Sequence, residues 1–480
     1  MIVLKFGGTS VQDVEAVRRL IVITASRAGS RLVVVSALAK VTDQLVQICD
    51  WVSSGEVERA TGSCRLLEER HLEMCRNLKL CSATTAYISD QFSNLSMLLH
   101  SIEAIGELSA RSRDRILAMG ELLSSVIVTE AFNAYGVKAN WLDSRQVLRT
   151  DAQFTSAQVD FEATDRLCAK TLPPLFAHAE IVVTGGFIGA VELNGQLATT
   201  TLGRGGSDYS AAILGAALGA EKIEIWTDVD GILTTDPRVV PQAKIVRKLS
   251  YDEAAELAYF GAKVLHPATI HPAVKKNIPV WVLNSRNPGC PGTEITREAV
   301  SHECAVKAIA CKRNVTLINI HSSRMLGAAG FLQSVFNAFG KERVSIDLIS
   351  TSEVNVSLTL DPQSDRVAVD RVLAELSQFA IVTVEDKMAS VAAVGRGIRT
   401  VSGVAARIFG ALKGNNIAMI SMGSSEINFS FVVKDEQVSA VIQKLHEEFF
   451  GETPSPVSSE IRFIEHQVLF RKRRVGELAF

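Results

Sequence analysis

The 480-residue chain lacks an excess of charge of either sign: 50 Lys and Arg stand against 52 Asp and Glu, a net of -2 at pH 7. Its basic residues are spread along the chain, which argues against a nucleic-acid-binding face. RKRR at 471–474 is the one basic cluster and reads as a solvated tail. The eight cysteines show no Cys-x-x-Cys pair and no Cys/His grouping of metal-ligand spacing. Reduced thiols in a cytoplasmic protein are therefore expected, with no disulfide framework and no zinc site. No apolar run is long enough to suggest a membrane-spanning helix. The run Ile2-Val3-Leu4 begins at once and passes into glycines, so no cleavable leader is expected. Two common phosphate loops are missing as well. There is no G-x-x-x-x-G-K-[ST], and no G-x-G-x-x-G after the first strand signal.

What is present is a soluble globular mixture, 47% apolar and 21% charged. The length exceeds one hydrophobic core; at roughly 100–200 residues per domain, two to four domains follow. Over 1–295, β-branched runs alternate with helical patterns. MIVLKF, RLVVVSA (31–37), VKANWLD (137–143), EIVVTGGFIG (180–189), KIEIWTDV (222–229) and IPVWVLN (278–284) read as strands. Residues 43–136 are mostly helical in pattern, and another helix is expected near 207–219. Ser10 with Asp13 marks a helix over 11–28, and Ser250 with Glu253 forms a capping box before DEAAELAYFGA. Asn194-Gly195 between apolar residues signals a hairpin. The alternation specifies an α/β domain with a largely parallel central sheet.

Beyond residue 300 the chain repeats itself. Residues 330–360 align with 403–433 at a fixed offset of 73, without gaps. Gly330 meets Gly403, Phe336 meets Phe409, Ser352-Glu353 meets Ser425-Glu426, and Asn355 meets Asn428. Each copy reads strand, helix, strand, strand, helix, strand, a ferredoxin-like βαββαβ unit. The expected boundaries are 305–388 and 389–466, with a tail at 467–480. Such a pair behind a larger domain suits a ligand sensor or a platform for dimerisation, and the repeat alone leaves both open.

The strongest chemical signal is TTTLGRGGSDYSAA (199–212). Gly203, Gly205 and Gly206 surround Arg204, and a helix is expected to begin at about Ser207. Backbone N–H groups in such a loop approach an anion closely, and the helix N-terminus adds partial positive charge. Arg204 can grip a carboxylate or phosphate in bidentate fashion. Asp208 falls in the first helical turn, where a carboxylate is favourable. The N-terminal KFGGTS supplies a second anion site: Lys5 at a strand end, expected to be partly exposed, followed by Gly7-Gly8.

These motifs occur with VVSA (34–37), GELLS (120–124), VTGGFIG (183–189), WTDVDGILTTDPR (226–238) and FGAKVLHPAT (260–269). Together with KFGGTSV (5–11) and TTLGRGGSDYSAA (200–212), they make the chain resemble the aspartate kinases of the amino acid kinase superfamily over nearly its whole length. The repeat resembles their paired ACT domains. The resemblance implies transfer of the ATP γ-phosphoryl group, with Mg²⁺, to the side-chain carboxylate of L-aspartate, a first step towards lysine, threonine and methionine. It implies that Lys5 and Lys263 stabilise the transferring group and that Asp208 organises the lysines. Ser36, Thr42, Glu121, Arg204 and Ser207 would hold aspartate, Arg204 on its α-carboxylate and Glu121 on its ammonium. Lys5, Gly7, Gly8, Gly205, Gly206, Thr227, Asp228, Arg238 and Lys263 would hold ATP. Leu233 stands where many relatives have a tyrosine near the nucleotide. No protein cluster for the metal is evident, so it is expected to be held through ATP phosphates and waters.

In lysine-inhibited members, the region matching IHSSRMLGAAGF (320–331) and SIDLISTSE (345–353) binds lysine between two paired units. Met325, Phe331, Leu332, Ser345, Asp347, Ser352 and Glu353 stand at the matching places, with Ala328 where some relatives have serine. Two carboxylates suit L-lysine better than threonine or methionine. A homodimer or higher oligomer is expected, with neither nucleic acid nor membrane as partner. A non-catalytic sensor would have lost Lys5, Arg204 or Asp208, and all three are present. A fused homoserine dehydrogenase would need hundreds more residues and a nucleotide-binding glycine motif, so none is expected.

Overall fold

The computed structural model describes residues 1–261, 267–298, 305–326, 329–423 and 425–451. Lys263, Ala328, Cys304 and the expected tail lie outside them. The chain divides into two compact units. The first takes Met1–Leu233, Lys244–Glu303 and Val394–Arg396, and the second takes Thr234–Ala243, Cys304–Ala393 and the remainder from Gly397.

In the first unit the β-branched runs become strands and the amphipathic stretches helices. The order is β1 (Ile2–Phe6), α1 (Val14–Ala25), β2 (Arg31–Val35), α2 (Val41–Ser53), α3 (Val57–Asn77), α4 (Ser82–Ile105), α5 (Ala110–Leu117), α6 (Met119–Ala134), β3 (Ala139–Leu142), α7 (Phe161–His178), β4 (Ile181–Gly185), β5 (Ile188–Leu193), β6 (Gln196–Thr201), α8 (Gly206–Ala217), β7 (Lys222–Thr227), β8 (Lys248–Ser250), α9 (Tyr251–Tyr259), α10 (Pro267–Lys275), β9 (Val280–Asn284) and β10 (Thr293–Thr296). The main sheet has eight strands in the order β3-β4-β2-β1-β7-β9-β10-β8. It is parallel except where β10 runs against β9. Strands β1, β2 and β4 are buried on both faces, as covered parallel strands must be. Their carboxyl ends, at Phe6, Val35 and Gly185, open at one edge of the sheet.

Three local expectations are corrected. The first helix starts at Val14, because Asp13 rather than Ser10 caps it, accepting from Ala16 N (2.8 Å). Ser10 instead turns inward to Ser285 Oγ (2.8 Å). EIVVTGGFIG is not one strand: Phe187 takes φ +66°, and the chain breaks into β4 and β5. Finally, Ala110–Ala134 is long and apolar enough to cross a membrane. Leu123, Ile127, Val128, Ala131 and Phe132 of this stretch belong to the buried core beneath the sheet, together with β1, β2 and α1–α4, so burial inside the protein accounts for its apolarity.

The second unit comprises β11 (Ala308–His321), α11 (Phe331–Lys341), β12 (Ile346–Thr351), β13 (Asn355–Leu360), α12 (Arg366–Leu376), β14 (Ile381–Val394), α13 (Val404–Ala411), β15 (Met419–Met422), β16 (Asn428–Lys434) and α14 (Val438–Phe450). Its six strands run in the order β12-β13-β11-β14-β16-β15. The two central strands, each of 14 residues, serve two cores. Ile318 and Ile320 of β11 pack with α11 and α12, while Ile309 of the same strand packs with α13 and α14. Ala389, Val391 and Ala393 of β14 lie in that second core too. The closing strand expected for the second copy falls beyond residue 451, outside the described residues.

Candidate active site

At the carboxyl ends of β1, β2 and β4 lies a cavity of about 540 Å³. It gathers Lys5, Gly8, Ser36, Thr42, Glu121, Arg204, Gly205, Gly206, Ser207 and Asp208 from separate stretches of chain. Alternation along β1 aims Lys5 at α8: Val3, two residues earlier on the same face, packs towards Gly215 of that helix. Seven residues nearer the helix start, Asp208 Oδ1 lies 2.7 Å from Lys5 Nζ. The approach is close, but no directed hydrogen bond forms to that oxygen, so the attraction is chiefly Coulombic. Contrary to expectation Lys5 is buried, 8% exposed, because α8 covers the strand end.

The glycine loop is built by close approach. Gly203 and Gly205 take φ +75° and +74°, conformations that glycine adopts without strain. Helix α8 starts at Gly206, one residue before Ser207, and its N-cap Gly205 offers no side-chain acceptor. The first-turn N–H groups therefore have no side-chain cap competing for them. A Cβ on Gly186 would meet Ser207 Cα and Cβ at 2.8 Å, and one on Gly185 would meet Glu121 O at 2.9 Å. The glycines of VTGG thus press β4 against both α8 and α6. Across the cavity floor, Ser124 Oγ donates to Ser36 O (2.8 Å), and a Cβ on Gly8 would lie 3.2 Å from Ala37 O.

Glu121, in the first turn of α6, is buried, and its Oε2 has no hydrogen-bond partner. Burial pushes its carboxyl up to about 8, against the opposing pull of the Ala37 and Glu121 backbone N–H groups and Lys5. A buried carboxyl with a vacant oxygen can pair with an ammonium group, whose positive charge would favour the ionised form. Arg204, by contrast, is exposed at the rim of the loop.

Other expected residues lie outside the lining. Gly7 donates its N–H to Trp226 O (3.1 Å) at the next strand end. Thr227 ends β7 and Asp228 follows it, with Thr227 Oγ1 3.2 Å from Asp228 Oδ1. Arg238 belongs to the second unit, where its guanidinium pairs with Asp236 (2.7 Å). Leu233 makes a bridge with Ile245. Lys40, Arg113, Thr155 and Thr201 also line the cavity, and sequence reasoning missed them. Lys40, Arg113 and Thr155 belong to no glycine motif, and only tertiary contact brings them in; Thr201 lies within TTTLGRGGSDYSAA, ahead of its glycines. Asp114 was missed too. It is wholly buried behind the wall, and burial raises its carboxyl above the ordinary range against the hydrogen bonds it accepts.

In the second unit, Met325 and Phe331 pack against the core of α11 and α12. Leu332 lies on α11, and Ser345 and Asp347 lie at the start of β12, with Ser352 and Glu353 just past its end. Asp347 is held by Lys312 Nζ at 2.8 Å, and the same ammonium reaches Asp361 at 2.5 Å.

A cationic, glycine-built cavity at the open end of a parallel sheet, with no Walker loop, defines a small-molecule phosphotransferase. The model of the amino acid kinase family matches residues 1–284, and that of the ACT domain matches 318–376 and 391–449. The chain belongs to the amino acid kinase family, and within it to the aspartokinases. It is 40% identical to lysine-sensitive aspartokinase 3 of Escherichia coli K12, over 94% of this chain and 99% of that one. It is 38% identical to the chloroplastic aspartokinase 1 of Arabidopsis thaliana, over 93% of this chain and 80% of that one. The crystal structure of E. coli aspartokinase III in complex with lysine and aspartate, described as the T-state, superposes with a TM-score of 0.79 and covers 94% of this chain and 99% of that one. The R-state complex with aspartate and ADP gives 0.77, covering 94% of this chain and all of that one.

Proposed function

We propose that this chain phosphorylates the β-carboxylate of L-aspartate with ATP and is inhibited by L-lysine. The observation that carries the catalytic reading is one cavity holding a buried carboxylate with a vacant oxygen, Glu121, and a rim guanidinium, Arg204, beside the Lys5–Asp208 pair. Glu121 suits the ammonium of an amino acid, Arg204 its α-carboxylate, and Ser36, Thr42 and Ser207 its remaining polar atoms. The side-chain carboxylate is already ionised near neutral pH, so the transfer needs no strong base. Lys5 and the N–H groups of Gly205 and Ser207 at the start of α8 neutralise charge on the transferring phosphoryl, while Gly206, whose N–H donates to Gly203 O (3.1 Å), lets the phosphate approach closely. Gly7, Gly8, Thr227 and Asp228 are the proposed nucleotide contacts nearest β1 and β7. Arg238 and Lys263 are proposed as further ATP ligands on the family's pattern alone. Mg²⁺ carried by the nucleotide would supply further charge neutralisation during the transfer. The described residues contain no group of three His, Cys, Asp or Glu side chains able to hold a metal by themselves.

For the effector, Asp347 and Glu353 are the carboxylates proposed to receive the cationic amino acid, and Lys312 holds Asp347 in place beside Asp361. Asp347 lies near the start of β12 and Glu353 two residues past its end at Thr351, so the four strand steps alone separate them by roughly 13 Å at about 3.3 Å per residue. One amino acid cannot bridge them within a single chain, so a lysine held by both lies between two copies, and the proposed enzyme is at least a dimer. The cytoplasm suits its free cysteines. The deciding experiment measures ADP formation and hydroxylamine-trapped acyl phosphate with L-aspartate and with L-glutamate. Aspartate-dependent turnover is expected, with almost none on glutamate; equal rates on both would overturn the assignment.

A further inference from the structure

Asp114 of α5 is wholly buried and makes no ion pair among the described residues. Burying a lone carboxylate is costly unless hydrogen bonds replace the lost water. Here all the hydrogen bonds come from two residues of the cavity wall. Thr155 N donates to Oδ1 (3.0 Å) and Oδ2 (2.9 Å). Thr201 N donates to Oδ2 (3.0 Å), and Thr201 Oγ1 to Oδ1 (2.7 Å). Asp114 itself does not line the cavity, whereas Thr155 and Thr201 do.

The backbone it holds is strained. Thr155 has φ +74°, in the left-handed region where a β-branched residue is an outlier and must be held by its surroundings. The segment so held reaches the glycine loop from two directions. Ala157 N donates to Thr201 O (2.9 Å), tying it to the end of β6. A Cβ on Gly203 would lie 3.6 Å from Thr155 O, so Thr155 lies alongside the residue just before Arg204.

We infer that Asp114 is a positioning residue: it holds Thr155 in its left-handed conformation and fixes the end of β6, so that the glycine loop presents Arg204 to the α-carboxylate of the substrate. This rests on the reading that Arg204 takes the amino-acid carboxylate. The nucleotide contacts proposed at β7 are on a different strand, and of the loop only the N–H groups after Arg204 meet the phosphoryl, so KM for aspartate is expected to rise more than KM for ATP.

The isosteric Asp114→Asn turns one acceptor into an NH₂ that faces backbone donors. Misplacing a substrate-gripping group by a fraction of an ångström is enough to raise KM for aspartate about tenfold or more, with KM for ATP within about twofold. The diagnostic partner is Thr155→Gly, since glycine adopts positive φ without the support of Asp114. In a double-mutant cycle, the tenfold effect of D114N is expected to shrink to about threefold or less in the T155G background. Thr201→Val, which removes only the hydroxyl bond, should raise KM for aspartate in the same direction by less, and it serves if D114N does not fold. Three results would overturn the inference in an enzyme that turns over aspartate: equal rises in both KM values, a fall in thermal stability with KM for aspartate unchanged, or a D114N effect of the same size in the T155G background as in the wild type. A wild-type protein that turns over no aspartate would overturn the functional reading instead. Amide exchange then reads the holding role without substrate: faster exchange at Thr155 and Thr201 in D114N supports it, and unchanged exchange refutes it.

Discussion

At the residue scale, the site has two buried ionisable groups, Glu121 and Lys5. Glu121 has its carboxyl at about 8 against 4.5 for an ordinary one, chiefly through burial. The folded protein therefore holds a proton there between those two values. Stability associated with this group falls as pH rises from 4.5 and is fully lost above 8, a difference of up to about 5 kcal/mol at 1.36 kcal/mol per unit. Glu121→Gln cannot titrate. Its stability advantage over wild type should widen up to pH 8 and then level off, as urea unfolding at pH 5, 7 and 9 will measure. The same variant should raise KM for aspartate by about 10²-fold, because an amide pairs poorly with a buried ammonium. For Lys5, removal of one positive group aimed at developing charge should lower kcat by about 10²–10³ in Lys5→Met. Because Lys5 is buried against Asp208, K5M also strands a carboxylate and should lower stability. Adding Asp208→Asn should restore the unfolding midpoint without restoring turnover, and recovery of both would remove Lys5 from the chemistry.

At the scale of elements, function depends on how closely β4 approaches α6 and α8. Gly186→Ala places its Cβ 2.8 Å from Ser207 backbone and side-chain carbon. The helix start cannot yield as a flexible side chain would, so α8 must shift and take with it the N–H groups proposed to face the phosphoryl. A fall of about 10² in kcat/KM with far-UV dichroism retained is the expected outcome. The helical hairpin of α3 and α4 has its own titration. His71 Nδ1 is 2.6 Å from Leu67 O, Nε2 has no partner, and the ring packs on Phe92. Burial pushes this imidazole down to about 4 from 6.5. Its contribution is intact above 6.5 and is lost as pH falls towards 4, about 3 kcal/mol in all. His71→Leu should flatten stability across that window, and an unchanged acid slope would show that other groups set it. Much at this scale was legible beforehand. The Asn194-Gly195 hairpin and the Ser250–Glu253 capping box both form as their local chemistry requires. The break at Phe187 was not legible, because a positive φ at phenylalanine is imposed by the packing of Gly206 against its ring and not by any local preference.

At the scale of the whole molecule, the offset of 73 residues that relates the two C-terminal copies also relates the two ACT matches, 318–376 and 391–449. Lysine should inhibit turnover. Asp347→Ala or Glu353→Ala should relieve that inhibition with kcat nearly intact, since a ligand shifts an equilibrium only through its differential affinity for two states. Coupling of about 1–3 kcal/mol would appear as roughly 5–150-fold changes in apparent affinity. The position matching Asp347 in the second copy is Ile420, so Glu426→Ala should matter less. Full lysine inhibition in the Asp347/Glu353 double variant would sink the assignment of this effector site. The sequence by itself determined the parallel α/β architecture, the duplicated C-terminal unit and the glycine motifs, because hydrophobic period, turn residues and backbone freedom act over a few residues and leave a local record. Tertiary structure alone decided which side chains share the cavity, that Lys5 is buried, that Lys312 already engages Asp347, and that Asp114 braces the wall from behind. Those facts arise from contacts between residues tens or hundreds of positions apart, where burial and Coulomb attraction depend on distance in space and not along the chain.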